Sequence, residues 1–243
     1  MKPTARAISD PRENQLLAAL SAVEWLRWRA ALEPIDLPVG MVLCESGSAP
    51  VYAYFPTTAI VSLLTMTEDG ASSEIAVIGN DGVIGIPLFM GGGTMPCQAV
   101  VQSAGHGFRL RAQFVKDVVV RAGPMLYVLL RYTQAMIAQV AQTAACNRYH
   151  SIDQQLCRRL LLGLDRLPSD ELLVTQELLA RLLGVRRESV TAAALKLQQA
   201  GLIKYSRGRI DVLDRRKLEQ RTCECYALSK REYNRLVPMA VAA

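Results

Sequence analysis

The pattern of apolar and polar positions changes at Pro34. Before it, residues 11–33 carry apolar side chains at helical spacing, which predicts one amphipathic helix. The predicted apolar stripe of that helix consists of Leu16, Leu17, Leu20, Val23 and either Trp25 or Leu26. From residue 35 to 110 the apolar runs are short and are separated by turns about every 8 to 12 residues. This pattern favours an all-β barrel or sandwich over alternating strands and helices.

Helical spacing returns after residue 111. Residues 112–121 predict a short helix, and a long helix begins at Pro124, because proline suits the first helical position. One apolar stripe of the long helix consists of Met125, Leu129, Tyr132 and Met136, and a second of Leu126, Leu130, Ile137 and Val140. A helix with two stripes can pack on its own barrel and on a second copy of itself. The alternative is an ordinary buried helix of a monomer.

A further helix is predicted to begin after Ser151, which can form a capping box with Gln154. We therefore expect a hinge near residues 147–151. No apolar run reaches the roughly 18 residues that a membrane span requires. The first 14 residues lack the apolar core of a signal peptide, so a cytoplasmic protein is expected.

The stretch from Leu173 to Leu213 predicts two short helices joined by a tight turn and followed by a β-hairpin. Thr175 can cap the first helix, and Gly184 can end it, because glycine adopts the left-handed conformation at little cost. The second helix is predicted to begin near Arg186–Arg187 and to bury Val190, Ala193, Ala194 and Leu197. Its outward positions are Glu188, Thr191, Ala192, Leu195 and Gln199. This is the helix-turn-helix pattern, whose second helix enters the DNA major groove.

The distribution of charge supports a polyanionic partner. The chain has 243 residues and a formal net charge of +6, and residues 152–217 contain 13 basic against 8 acidic side chains. Two arginines at the start of the second helix oppose the helix dipole, so local stability does not account for them, whereas a phosphate backbone does. The alternative is a helical hairpin with a solvated basic face.

The same stretch resembles the DNA-binding domain of the Crp/Fnr (cyclic-AMP receptor protein and fumarate–nitrate regulator) transcription factors. The matching positions are Thr175, Leu179, Ala180, Gly184, Val185, Arg187, Glu188, Ser189, Val190 and Thr191, followed by Gly201, Leu202 and Ile203 before the wing. Arg186 stands where the family has a capping Ser or Thr, which suggests an additional phosphate or base contact. Ala192 stands where the family has a second base-reading arginine, which leaves the half-site sequence open.

The resemblance extends in outline to the family's β-roll, the cyclic-nucleotide-binding domain, over residues 39–47, 54–56 and 59–63. It also implies a nucleotide-binding turn, for which the candidate residues are Gly85, Ile86, Gly92, Gly93, Thr94 and Cys97. Ile86 or Pro87 replaces the family's ribose-binding glutamate, and Pro96 and Cys97 replace its phosphate-binding arginine and hydroxyl. A buried phosphate without that arginine would be unpaired, so we expect cyclic AMP to bind weakly or not at all. The alternative is a flexible loop between two strands.

The six cysteines, at positions 44, 97, 146, 157, 223 and 225, contain no CxxC pair. Zinc-ribbon and thioredoxin motifs are therefore excluded by spacing, and no metal site or cofactor is expected. Most of the cysteines are expected to be reduced and buried. Cys223 and Cys225 are a poor metal or disulfide pair by themselves, although a redox role stays open. Only His106 and His150 could serve as imidazole bases, and no nucleophile motif accompanies them, so an enzyme is not expected.

Together these patterns predict an α+β chain: an N-terminal double-stranded β-helix (jelly-roll or cupin-like) sensor domain, a long dimerisation helix and a C-terminal winged helix-turn-helix. The expected boundaries are 1–123, 124–149 and 150–225, with a C-terminal tail at 226–243. The resemblance implies a homodimeric transcription regulator on a palindromic site, with double-stranded DNA, a second copy of the chain and RNA polymerase as partners. The alternative is a regulator switched by another small ligand, such as another nucleotide, or by cysteine oxidation.

Residue roles follow from these expectations. The DNA-binding candidates are Thr175, Gln176, Arg186, Arg187, Glu188, Ser189, Thr191, Ala192, Leu195, Lys204, Arg207 and Arg209. Arg187 is expected to bind a guanine, and Glu188 to bind a cytosine amino group or to orient Arg187. Arg186, Ser189, Lys204, Arg207 and Arg209 are phosphate candidates, whereas Thr191, Ala192 and Leu195 are candidates for thymine methyl groups. The predicted dimer contacts are Met125, Leu129, Tyr132, Met136 and Val140.

Overall fold

A computed structural model of the chain describes residues 10–167, 171–206 and 208–237. Its helices are α1 (Gln15–Ala18), α2 (Ala22–Ala31), α3 (Pro87–Met90), α4 (Ala112–Val120), α5 (Pro124–Tyr149), α6 (Ile152–Leu164), α7 (Gln176–Leu183), α8 (Arg187–Gln199), α9 (Arg215–Arg221) and α10 (Glu224–Leu236). Its strands are β1 (Glu33–Leu37), β2 (Val42–Cys44), β3 (Tyr52–Pro56), β4 (Ile60–Met66), β5 (Ser72–Ile78), β6 (Gln98–Ser103), β7 (Gly105–Arg111), β8 (Glu171–Leu173), β9 (Ile203–Ser206) and β10 (Arg209–Val212). None of the helices in these ranges combines the length and hydropathy needed to cross a membrane.

The N-terminal segment forms a short 3₁₀ helix (Pro11–Glu13), α1 and α2, rather than the single helix predicted. Ser21 accepts a hydrogen bond from the Glu24 backbone N–H and starts α2 as its N-cap, so the chain changes direction there. Of the predicted stripe, Leu16, Leu17 and Leu20 are buried, and Trp25 is half-buried against the core. Val23 and Leu26 are 82% and 71% exposed, and Trp28 is the side chain of α2 that enters the core.

Strands β1 to β7 form the predicted β-roll from two antiparallel sheets, in the orders β1-β7-β3 and β2-β6-β4-β5. Apolar residues from both sheets and from the N-terminal helices fill the space between them, with Trp28, Phe55 and Leu110 almost fully buried. Trp28 meets the rings of Phe55 and Phe114 edge to face, at centroid distances of 6.1 and 5.6 Å. The predicted fold class is confirmed.

Helix α5 packs along the β-roll through the stripe that was expected to form the dimer. Met125, Leu129, Tyr132 and Met136 are buried in the core of their own chain, and Val140 is half-buried against it. Tyr132 lies directly on Gly82, where any Cβ would clash with its ring and hydroxyl. The prediction that these four side chains face a second copy is therefore wrong, because the β-roll already covers them.

The exposed face of α5 carries two members of the second predicted stripe, Leu130 and Ile137, whereas Leu126 and Val140 are half-buried. Ile137 is 64% exposed and Leu130 is 39% exposed. Gln134, Ala141 and Ala144 are exposed as well, so these positions follow one another in steps of four and three along the helix. Such spacing is that of a coiled-coil seam, so this face has the pattern of a helix that pairs with another helix.

Helices α6 to α9 and the sheet β8-β10-β9 surround a second core, which includes Leu160, Val190, Leu197 and Ile210. We call residues 152–221 the C-terminal unit. The capping box predicted at Ser151 and Gln154 is present and starts α6. Strand β8, which pairs with β10, had not been predicted, because it is only three residues long.

The segment predicted as a C-terminal tail contains most of α10, and this helix packs against α5. Leu236 and Val237 enter the core of the β-roll, and the Tyr233 hydroxyl lies 2.5 Å from the backbone oxygen of Asp81. Burial raises the pKa of Tyr233, so this hydroxyl stays protonated and can donate the bond. The segment up to residue 237 is thus part of the folded structure.

Two buried ion pairs join the C-terminal unit to the β-roll. Arg159 of α6 meets Glu74 of β5, with 2.6 Å between Nε and Oε1, and Arg166 meets Asp81, with 2.5 Å between Nη2 and Oδ2. Arg158 is also buried. Three of the 13 basic side chains of residues 152–217 are therefore buried, and only the others can contact a polyanion such as DNA.

Candidate nucleic-acid interface

The predicted helix-turn-helix is present at α7 and α8. Thr175 caps α7 by accepting a hydrogen bond from the Leu178 backbone N–H at 3.1 Å. Gly184 ends the helix with φ 66° and ψ 34°, in the left-handed region where a side chain would be strained. Three residues later α8 begins, so the turn has the short length that this motif requires.

Helix α8 divides into the two faces that its sequence predicted. Val190, Ala193, Ala194 and Leu197 are buried against α6 and α7. The opposite face is exposed, and its members are Arg187, Glu188, Thr191, Ala192, Leu195 and Gln199. Leu195 is 52% exposed and forms the apolar part of this face. The outward face of α8, which we call the recognition face, is thus available to a ligand.

The start of α8 is suited to an anion. Arg186 occupies the N-cap but makes no side-chain capping bond, so the first backbone N–H groups of the helix lack the usual acceptor. Arg186 and Arg187 are both exposed, and no carboxylate in the described ranges lies within ion-pairing distance of either. Two free guanidinium groups and uncapped N–H groups at a positive helix end together attract phosphate.

A chain of hydrogen bonds positions the recognition face relative to α7 and the wing (β9 and β10). Thr191 donates from its hydroxyl to Gln176 Oε1 at 2.8 Å. The Gln176 backbone N–H donates to the Tyr205 hydroxyl, and the Tyr205 backbone N–H donates to Gln198 Oε1, both at 3.0 Å. Thr191 and Gln176, both predicted DNA contacts, therefore bind each other in the free protein. Tyr205 and Gln198 were missed, because no sequence motif marks their pairing.

Two predicted phosphate contacts of the wing differ in their surroundings. Lys204 is exposed and has no ion-pair partner in the described part of the chain. Arg209 instead pairs with Asp211 at 2.8 Å and with Glu171 at 3.1 Å. Arg209 is thus paired with two carboxylates of the β8-β10-β9 sheet, rather than being presented alone. Arg207, the third candidate, lies outside the described residues.

The predicted ligand-binding residues of the β-roll do not form one cluster. Gly92, Gly93 and Thr94 lie in an exposed loop after α3, whereas Gly85 and Cys97 are buried. Gly85 has φ +111°, and its Cα approaches the Tyr52 backbone closely enough that a Cβ would lie 3.2 Å from that carbonyl oxygen. Burial raises the pKa of the Cys97 thiol to about 11, so it is a neutral core side chain. Cys97 and Met95 are buried in the hydrophobic core of the roll.

All six cysteines are free and buried, as predicted. Three of them, however, meet near the end of α5. Cys223 is the N-cap of α10 and has an extended backbone, so Cys223 and Cys225 turn toward the same point, whereas two residues that far apart within a helix point in different directions. Cys146 and His150 approach them from α5. This convergence was missed, because the two pairs are separated by more than 70 residues.

Comparison with known proteins agrees with this geometry. A sequence model of the Crp-like helix-turn-helix domain matches residues 154–221, which include α7, α8 and the wing. No curated protein sequence matches the chain.

Several solved structures share the architecture. FixK2 from Bradyrhizobium japonicum has a TM-score of 0.66 at 14% identity, over 79% of this chain and 98% of its own. The c-di-GMP responsive global regulator CLP from Xanthomonas campestris has a TM-score of 0.62 at 18% identity, over 80% and 100%. A CRP/FNR family regulator from Thermus thermophilus has a TM-score of 0.59 at 20% identity, over 82% and 98%. The chain therefore carries a Crp-like helix-turn-helix domain and has the fold of the Crp/Fnr transcription regulators.

Proposed function

We propose that the protein is a sequence-specific DNA-binding transcription regulator that acts in the cytoplasm as a homodimer on a palindromic site. The observation that carries this proposal is the start of α8, where Arg186 and Arg187 are exposed beside uncapped backbone N–H groups. Arg159 and Arg166, by contrast, are buried and paired with carboxylates. Cations left free at a positive helix end favour an anionic partner such as DNA.

The recognition face supports a division of roles. Arg187 and Glu188 lie at its N-terminal end, where helix-turn-helix proteins contact base edges. Arg187 is assigned to a guanine, and Glu188 either to a cytosine amino group or to Arg187 itself. Ala192 and Leu195 are apolar and exposed one and two turns further on, which suits thymine methyl groups. Arg186, Ser189 and Lys204 are assigned to phosphates.

The dimer is assigned to the exposed seam of α5 (Leu130, Gln134, Ile137, Ala141 and Ala144). Small residues near the C-terminal end of the seam allow two helices to approach closely, while Leu130 and Ile137 supply the apolar contact. A two-fold axis along this seam would present two copies of α8. Two such helices read half-sites about one duplex turn, or roughly 34 Å, apart.

The proposal is tested by selecting DNA from a random pool with the purified protein and by sequencing the selected fragments. We expect an inverted repeat with half-sites about one helical turn apart. In a competition gel shift, the selected sequence should displace labelled site at much lower concentration than a scrambled duplex of equal length. Equal competition by both duplexes would refute sequence-specific binding.

Substitution of Ile137 by glutamate is expected to convert the dimer into a monomer, because two carboxylates would face each other in an apolar seam. Sedimentation velocity at micromolar concentration measures the change. Val51→Glu is the matched control, because Val51 is a similarly exposed apolar residue of the β-roll, at 69%. A dimer that survives Ile137→Glu would show that another surface pairs the two chains.

The proposed regulator is not controlled by cyclic AMP. Ile86, Pro96 and Cys97 supply neither a carboxylate for the ribose nor a guanidinium for the phosphate, and Met95 and Cys97 occupy the interior of the roll. We expect calorimetry with cyclic AMP to give no saturable heat. The titration should be repeated with a panel of nucleotides that includes c-di-GMP, to which CLP responds. Micromolar binding of cyclic AMP would overturn the assignment.

A ligand-switched regulator is the second candidate, and one cavity favours it. The cavity measures about 270 Å³ and lies between the β-roll, α5, α6 and α10. Asp81, Arg166 and Lys230 are among the polar side chains that line it, with Tyr132 and Tyr233 beside them. A ligand here would touch the β-roll and the C-terminal unit together, so it could bias their arrangement. Saturable binding that Lys230→Ala weakens would support this version.

A further inference from the structure

Four side chains with metal-binding chemistry converge where α5 meets the end of the C-terminal unit. Cys146 lies in the last turn of α5 and His150 directly follows that helix, while Cys223 and Cys225 lie at the junction of α9 and α10. Their ligand atoms all lie within 4.8 Å of one another. The three cysteines are buried and His150 is half-buried. The group is thus shielded from water on most sides, as a structural metal site is.

Two of the distances between ligand atoms are those expected around a single tetrahedral ion. The sulfur atoms of Cys146 and Cys223 are 3.5 Å apart, and the Cys225 sulfur lies 3.5 Å from Nδ1 of His150. A zinc ion with bonds of about 2.3 Å to sulfur and about 2.0 Å to nitrogen places neighbouring ligand atoms roughly 3.5–3.8 Å apart. An iron–sulfur cluster distributes its four protein ligands over at least two iron atoms, so the whole ligand set is spread more widely than around one ion.

The contacts around the four side chains also suit a metal centre. Glu224 places Oε1 3.3 Å from Nε2 of His150, which leaves Nδ1 directed at the sulfur atoms. A carboxylate on the far nitrogen is the usual partner of a metal-binding histidine, because it selects the tautomer and orients the ring. Gln155 donates from Nε2 to the backbone oxygen of His150 at 2.9 Å and to that of Cys146 at 3.4 Å. The backbone that carries two of the ligands is therefore held in place.

A buried arginine supplies the positive charge that an occupied zinc site would need beside it. Three thiolates and one divalent cation carry a net charge of −1, which is costly to bury without a counter-charge. Arg158 is buried and lies close enough to act electrostatically on the thiols of Cys146 and Cys225. Its guanidinium donates to the Thr143 hydroxyl at 2.8 Å, while its Nε has no partner among the described residues. Arg158 would neutralise the occupied site.

We propose that Cys146, His150, Cys223 and Cys225 form a structural zinc site. Soft thiolates with one imidazole are a ligand set that zinc favours, and with four protein ligands the site is closed to substrate. The ion would tie the last turn of α5 to the α9–α10 junction, across the segment where α5 passes into α6. It would thereby fix the direction in which the C-terminal unit leaves α5. The zinc site itself does not depend on DNA binding, so its test is separate from that of the proposed function.

The metal content of untagged protein, purified under reducing conditions from zinc-supplemented cells, tests the site directly. Elemental mass spectrometry should find about one zinc ion per chain, because four protein ligands hold a single ion. Replacement by Co²⁺ should give the visible bands of a tetrahedral ion and a near-ultraviolet sulfur-to-cobalt band. Cys223→Ser and His150→Ala should lose most of the zinc. Cys97→Ser, which alters a buried cysteine inside the β-roll, should retain it.

Glu224→Gln provides a test that keeps all four ligands. Loss of a carboxylate behind a metal-binding histidine lowers metal affinity by about 10–100-fold. Glu224 is 69% exposed, so the fold should tolerate the change, which circular dichroism will verify. Competition with a chromophoric zinc chelator measures the affinity of the wild type and the variant.

Four results would each overturn the proposal. The first is absence of zinc both after purification and after anaerobic reconstitution, together with no cobalt spectrum. The second is iron with acid-labile sulfide, which would identify a cluster instead. The third is a Cys146–Cys223 disulfide in protein prepared anaerobically, because a disulfide removes two ligands. The fourth is full zinc content in Cys223→Ser, which would place the ion elsewhere.

Discussion

Replacement of Arg187 by alanine is expected to abolish the preference of the protein for its palindromic site. Arg187 is exposed at the first position of α8 and has no ion-pair partner in the described ranges, so it is free to bind a guanine edge. A bidentate arginine–guanine contact contributes about 1–3 kcal/mol of discrimination. A homodimer loses two such contacts, so the loss of discrimination should reach about 2–6 kcal/mol.

The measurement is a competition gel shift, at one fixed salt concentration, between the selected palindrome and a scrambled duplex. Lys204→Ala is the matched control, because Lys204 is an exposed cation of the wing that is assigned to a phosphate. It should weaken binding to both duplexes alike. The slope of the logarithm of the binding constant against the logarithm of salt concentration should become shallower by about one per protomer. Arg216→Ala, an exposed arginine on α9, should have the smallest effect. Undiminished preference in Arg187→Ala would mean that another residue reads the guanine.

Replacement of Arg159 by alanine is expected to lower the free energy of unfolding far more than the loss of an exposed ion pair does. Arg159 and Glu74 have side chains that are 5% and 7% exposed, and they form the ion pair between α6 and β5. Ser62 and Gln102 complete the network, since Ser62 donates to Glu74 and Arg159 donates to Gln102. Removal of the guanidinium would leave a carboxylate buried without a counter-charge, which costs about 3–5 kcal/mol.

Urea denaturation measures this loss as a decrease in the free energy of unfolding. The double variant Arg159→Met with Glu74→Leu should recover much of it, because a buried pair can be replaced by apolar residues of similar volume at little cost. Arg235→Ala breaks an exposed pair with Glu232, whose side chains are 57% and 35% exposed, and should change the midpoint little. If Arg159→Ala were as stable as Arg235→Ala, water would have to reach the Glu74 carboxylate.

The ion pair also bears on regulation, because it joins the β-roll to the C-terminal unit. Arg166 and Asp81 form a second pair across the same boundary. With both pairs made, the C-terminal unit is held against β5, and Ile60 and Val77 of the β-roll belong to its core. A change in DNA affinity in the Arg159→Met, Glu74→Leu variant would show that this boundary sets the orientation of α8.

Local features of the helix-turn-helix were predictable because they depend on neighbours in the sequence. The Thr175 cap, the left-handed Gly184 and the four buried positions of α8 all arise from hydrogen bonds or spacings within a few residues. The β-roll was predictable as a class for a similar reason, since short apolar runs between turns indicate strands. Which strands pair could not be read in this way: the orders β1-β7-β3 and β2-β6-β4-β5 join segments far apart in the chain.

The sequence by itself therefore determined the helix-turn-helix, the caps at Ser151, Thr175 and Gly184, the β class of the N-terminal domain and the face of α8 that points outward. The tertiary structure alone decided which stripe of α5 the β-roll covers, that Arg159 and Arg166 turn inward, and that Cys146 lies beside Cys223, 77 positions away. The physical reason is the range of the interactions. Capping and helical periodicity act over one or two turns, whereas burial, ion pairing and metal-ligand geometry depend on residues that only the folded chain brings together.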